Sequence, residues 1–280
     1  MPIYAQGYRR WEARGPLSRV RFWPITRETL RTILARRAFL LLLFAAFIPL
    51  LVRIAQIWIG TQMPQFEQMV PVDGRLFGSF LNGQITFAVF LAIFGGSALV
   101  ADDLRCGAML IYLSRPLTRR DYVLGKVGVV LALGLAVTLL PGLALYLAAV
   151  GLAPARFVTW ENAWIAPALV LHSLVVSLFV GLLTLGISSL TRSANLARFG
   201  LVGVWFGLDL VAAIAAGLSH VERLRLLSPR SNLHAVGEAL FRSSQTEWID
   251  VFVPVLIVMA LAAGCIALIV SRVRAVEVVS

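Results

Sequence analysis

Apolar residues fall into six long, nearly unbroken runs, near 39–59, 80–101, 127–150, 165–190, 199–218 and 249–271. Each is long enough to cross about 30 Å of hydrocarbon as a helix of roughly 20 residues. Lipid offers no water to the backbone N–H and C=O groups, so a spanning segment must be a helix or part of a closed barrel. The runs are continuous and lack the alternating polarity of barrel strands, which favours helices. The pattern predicts an all-α integral membrane protein with six transmembrane helices filling 39–271. Residues 1–38 form a basic arm with an amphipathic helix, 102–126 a polar loop with a short helix, and 272–280 a tail.

Composition agrees. Of the 280 residues 59% are hydrophobic and 14% charged, against about 25% charged in soluble domains. The net charge is +11 and 24 of the 25 basic residues are Arg, with Lys126 the sole lysine. Such a charge can signal nucleic-acid binding, but in a membrane protein basic residues gather in cytoplasmic loops, and no nucleic-acid partner is expected. The arm, the 102–126 and 191–198 loops and the tail hold 18 Lys/Arg. The opposite loops at 60–79, 151–164 and 219–248 hold six, and Arg53 falls within a span. This asymmetry puts both termini and the 102–126 loop in the cytoplasm. Trp58, Trp160, Trp164 and Trp248 gather at the other interface, as an aromatic belt does. The first 38 residues carry nine Arg and no cleavable apolar core, so the first apolar run is expected to stay as a span.

In the arm, Pro24 to Ala38 suits one amphipathic helix. Leu30, Ile33 and Leu34 share a face, while Arg27, Glu28 and Arg31 point elsewhere. Phe22 and Trp23 precede it, which fits a helix lying in the headgroup layer; the plainer reading is a basic tail that only fixes topology. In the 219–248 loop, Ser231 or Asn232 is positioned to cap a helix with Leu233, Val236 and Leu240 on one face.

The segment 101–126 reads ADDLRCGAMLIYLSRPLTRRDYVLGK. It resembles the cytoplasmic loop of ABC-2-type transporter permeases. Asp103 takes the acidic place at the end of the second span, where Glu is usual. Gly107 matches the family's glycine, and Ala108 stands where Thr is common. Leu110 and Leu113 give the apolar face of a short helix. Pro116, Thr118 and Arg119 match the turn, and Gly125 and Lys126 the pair that opens the third span. The basic arm resembles the family's elbow helix, and LGISSLTRSANLARFG the end of its fourth span. The resemblance implies a permease subunit in the plasma membrane (the bacterial inner membrane), paired with itself or a similar chain. It also implies two separate ATPase subunits, the 102–126 loop as the coupling element, and export of a substrate. ATP–Mg would sit on the ATPase partner, leaving this chain without a cofactor.

The same loop has a purely physical reading. Asp102 and Asp103 open a helix, where negative charge suits the N-terminus. Gly107 permits close approach of another backbone. Pro116 ends the helix, and Thr118 caps the next with Asp121 at its third position. A well-capped, charged turn accounts for these residues. It leaves unexplained the apolar Met109, Leu110, Ile111, Tyr112 and Leu113 in a water-facing loop, which point to an interface or to lipid.

No catalytic or metal-binding pattern is present. GxxxxGK[ST] is absent, and Gly125-Lys126 lacks the upstream glycine. Cys106 and Cys265 lie in unlike settings, no Cys/His cluster suggests zinc, and Ser114, Ser188 and Ser189 have no His and acid beside them. Charged and polar groups inside spans are expensive and point to function. Asp209, His172 and Arg53 are therefore candidates for a translocation path, and Arg53 is a candidate partner for Asp209. Snorkelling of Arg53 and a structural hydrogen bond from Asp209 are the bland alternatives. Gly95-Gly96 and Gly181 to Gly186 suit tight helix packing, and Pro49 and Pro141 are expected to kink their helices. A carrier without an ATPase, or a membrane scaffold, remains the competing reading.

Overall fold

The computed structural model describes residues 21–63, 71–108, 117–153, 157–159, 162–242 and 248–272. Leu110, Leu113 and Pro116, their neighbours Met109, Ile111 and Tyr112, and Trp160 lie outside these residues. Among the described residues every regular element is helical. Six helices are long and apolar enough to cross a membrane: Arg37–Gln62, Gly74–Arg105, Arg119–Leu152, Ile165–Ser189, Ala194–Ser219 and Asp250–Arg272, here spans 1 to 6. The helix Trp23–Leu34 (the arm helix) precedes them. Pro229–Leu240 (the loop helix) lies between spans 5 and 6.

Spans 2 and 4 occupy the centre, and spans 1, 5 and 6 leave most of their apolar surface uncovered. Small residues allow the central contacts. A Cβ on Gly181 would lie 2.6 Å from Val130, one on Gly134 2.7 Å from Ser177, and one on Gly96 2.9 Å from Thr184. Spans 2, 3 and 4 can approach this closely only without side chains at those points.

Polar caps extend two helices beyond their apolar runs. Span 2 starts at Gly74 because the Asp73 carboxylate accepts from the Arg75 and Leu76 amides at 3.0 and 3.2 Å. Span 3 starts at Arg119 behind a full capping box, in which Thr118 and Asp121 each bond the other's backbone amide.

Spans 1 and 2 are interrupted, and each interruption is met by a side chain. Span 1 breaks after Ala45 and resumes at Ile48. Pro49 sits in the first turn of the second piece, where its missing N–H costs nothing. Buried Gln84 donates to the Ala46 carbonyl at 3.0 Å. Span 2 carries a π-helical turn at Ala92–Gly96, where the Ser97 amide reaches back to Ala92. Just beyond it the Ser188 hydroxyl of span 4 donates to the Ser97 carbonyl at 2.6 Å. The same hydroxyl accepts from the Val100 and Ala101 amides at 3.2 and 3.0 Å. Pro141, by contrast, lies inside an uninterrupted span 3.

Candidate functional site

Two groups of polar residues stand out, at opposite ends of the bundle. The first is at the base of the 102–126 loop. Lys126 Nζ lies 2.8 Å from Asp103 Oδ2, and the Tyr122 hydroxyl donates to the same oxygen at 2.8 Å. The Lys126 ammonium also lies 5.5 Å from the Tyr122 ring centroid. Lys126 and Tyr122 are buried, with Asp103 slightly more open. This pairing ties the end of span 2 to the start of span 3.

Asp102 and Asp103 close a helix here; they do not open one. Both lie in the last turn of Ala98–Arg105, where Asp102 makes an exposed pair with Arg105 at 3.1 Å. Gly107 has a backbone reason of its own to be glycine. A Cβ there would meet nothing within 4 Å, but φ is +65°. The position requires glycine because the chain leaves the helix through the left-handed region. Thr118 and Arg119 are exposed at the start of span 3.

Gly125 provides the close approach. A Cβ on it would lie 3.0 Å from the Ile25 side chain and 3.3 Å from the Phe22 carbonyl. The Thr26 hydroxyl donates to the Gly125 carbonyl at 2.9 Å. The arm helix thus packs through Ile25 and Thr26 onto the base of span 3, while buried Ile33 meets Gly95 of span 2. Leu34, on the apolar face with Leu30 and Ile33, is exposed, while the buried residues of the helix are Ile25, Thr26 and Ile33.

The second group is centred on the loop helix. Ser228 is its N-cap, with Pro229 following; the expected caps Ser231 and Asn232 lie inside the helix, which starts earlier because proline suits the first helical position. Asp209 accepts from the Ser228 hydroxyl at 2.7 Å and from Arg230 at 3.2 Å. Arg53 bonds Gln56 and Ser79 at 3.1 Å each. The Arg53–Asp209 pair is therefore not formed; nearer partners satisfy both groups. His172 is wholly buried. His234 lies on the loop helix, where burial and then the Arg230 charge push its imidazole below the ordinary value, against a smaller pull from Asp209.

Tyr122, Ser188, Gln84, Asn82 and Arg230 were not singled out as site residues by sequence. Tyr122 carried a usable signal, one helical turn before Lys126. The others become meaningful only through contacts between distant segments. No group of three His, Cys, Asp or Glu suited to a metal ion occurs among the described residues.

A bundle of six apolar helices, with a buried ion pair joining two of them, defines a multi-pass membrane protein. The chain matches the ABC-2 family transporter protein family over residues 23–275, and it belongs to that family. It is thus a permease component of an ABC transporter. No curated protein gives a significant match to the chain.

Proposed function

We propose that this permease forms the membrane pathway for export of a substrate and is driven by a separate ATPase that docks on the 102–126 loop. The Asp103–Lys126 pair carries this reading. It clamps the two spans from which the loop leaves, with Tyr122 on the same carboxylate, so a force on the loop would reach spans 2 and 3 together. The arm helix packed on Gly125 braces the same point; with its exposed Trp23, Arg27 and Arg31 it suits the cytoplasmic headgroup layer of a bacterial inner membrane. Both termini are then cytoplasmic, in line with the basic asymmetry of the loops. A second permease, identical or similar, covers apolar surface left open on spans 1, 5 and 6. ATP and Mg²⁺ bind on the ATPase.

Affinity purification of the tagged chain from native membranes tests the proposal, with and without polar replacements across Met109 to Leu113. The expected result is an ATPase that co-purifies with the wild type and is lost in the variant. A folded wild-type protein that never brings down an ATPase would overturn it, in favour of an ATPase-independent carrier or a scaffold.

A further inference from the structure

Away from the loop base, four side chains of the neighbouring central spans, Asn82, Gln84, His172 and Ser173, have buried polar atoms without a hydrogen bond, and two of the four meet. Both ring nitrogens of His172, on span 4, and Oδ1 of Asn82, on span 2, are buried with no hydrogen bond. They converge on one point. A Cβ on Gly237 of the loop helix would lie 2.7 Å from Asn82 Oδ1 and 2.7 Å from His172 Nε2. One turn further on, Phe241 sets its ring edge against the imidazole, with centroids 5.7 Å apart and planes at 71°. The loop helix thus covers the pair with a bare glycine and a phenyl ring. It shuts out solvent and makes no hydrogen bond to either group in exchange, which is an expensive way to bury strong hydrogen-bonding atoms.

The fastening of that helix is of the opposite character. Its first turn is held to span 5 by Asp209, through the Ser228 hydroxyl and the Arg230 guanidinium. The ion pair is partly open, with 40% of the Arg230 and 28% of the Asp209 side chain exposed, and pairs in such settings are weak and readily broken.

We propose that His172 and Asn82 form an internal recognition site for an uncharged hydrogen-bonding group of the transported molecule, covered by the loop helix and opened when the Asp209–Arg230 latch lets that helix move. A neutral imidazole offers one donor and one acceptor, and the carboxamide oxygen a further acceptor. Side by side they suit a hydroxyl or amide. Among the described residues no cationic side chain makes a hydrogen bond to either group, so nothing there favours a carboxylate. The site lies about 24 Å from Ser188 along span 4, at 1.5 Å per residue, and so far from the loop base. The inference rests on the transport reading for the nature of the ligand, and its test needs no ATPase.

The full chain in lipid nanodiscs would be treated with diethylpyrocarbonate, and acylation of His172 followed by peptide mass spectrometry, with exposed His220 as internal reference. In the wild type His172 should react far more slowly than His220. Arg230→Gln or Asp209→Asn should speed His172 about fivefold, the population change such an ion pair can supply, with His220 unchanged. The exchanged pair, Asp209→Arg with Arg230→Asp, should restore slow reaction. Gly237→Ala, which leaves the ion pair intact, should also speed it by prising the helix away. In the Arg230→Gln protein, acetamide or glycerol should protect His172 and acetate should not. Three results overturn the proposal: His172 as reactive as His220 in the wild type, His172 equally slow in every variant, or protection by acetate as strong as by acetamide. Failure of an ATPase to co-purify leaves all of these readouts intact.

Discussion

Lys126, the sole lysine of the chain, places its ammonium 2.8 Å from Asp103 of the preceding span, and Tyr122 donates to the same carboxylate oxygen. Removing one partner of a buried pair leaves the other charge unpaired, at about 3–5 kcal/mol. Asp103→Asn should therefore lower stability by about 3 kcal/mol, at the small end because Asp103 keeps some contact with solvent. Thermal unfolding in detergent reads this, and the exchanged pair, Asp103→Lys with Lys126→Asp, should recover part of the loss. An Asp103→Asn protein that unfolds at the wild-type temperature would show that the contact contributes nothing to the hairpin.

Gly125 has room for the arm helix and nothing else. A β-branched side chain there would drive into Ile25, already 3.0 Å from a bare Cβ. Overpacking of this kind costs about 1–3 kcal/mol, and the cheapest relief is for the arm helix to leave. Gly125→Val should accordingly make Arg27 and Arg31 more susceptible to trypsin. Gly83→Ala, where a Cβ meets nothing within 4 Å, is the control and should leave cleavage unchanged. Equal cleavage in the two variants would mean the arm is held elsewhere.

The six spans could be read from the apolar runs because lipid imposes long, uniform stretches, and the Thr118–Asp121 cap because it is local. Helix ends were less legible. Span 2 begins at Gly74, ahead of the apolar run at 80, since Asp73 caps it from outside the hydrophobic pattern. The left-handed φ of Gly107 is hidden too, because a sequence does not distinguish a glycine needed for its φ from one needed for contact. Partners distant in sequence stayed hidden. Asp209 could be suspected of having a cation, but Arg53 was the wrong one, and the choice of Arg230 depends on where the loop helix starts. Asn82 gave no signal, since its meaning comes only from His172 and Gly237 meeting it.

Thr118 closes its capping box on an exposed turn, so its loss should be felt locally. Thr118→Ala should cost about 1 kcal/mol and speed hydrogen exchange in the first turn of span 3, while amides beyond Val129 keep wild-type protection. Thr118→Ser, which retains the oxygen, should behave as wild type. Uniform loss of protection along span 3 would contradict a purely local cap.

Ser188 presents the opposite case, a buried hydroxyl with three backbone partners on another helix. It accepts from Val100 and Ala101 and donates to Ser97, at the point where span 2 resumes regular form after its π-helical turn. Ser188→Ala takes away an acceptor that both amides share and the donor to the Ser97 carbonyl. A hydrogen bond of this kind contributes about 0.5–1.5 kcal/mol, so the variant should lose stability on the order of 1–3 kcal/mol. Its more specific sign should be faster hydrogen exchange at Val100 and Ala101, with the amides of Ile85 to Leu91 unchanged. Span 2 has a way to compensate, by converting the π-helical turn back to α-helix and shifting Ala98–Arg105 in register. That shift would carry Asp103 off Lys126, so a cysteine pair at those two positions should crosslink less in the Ser188→Ala background. Unchanged exchange together with unchanged crosslinking would mean that the turn at Ala92–Gly96 is held by span 2 alone, and that Ser188 only fills space beside it.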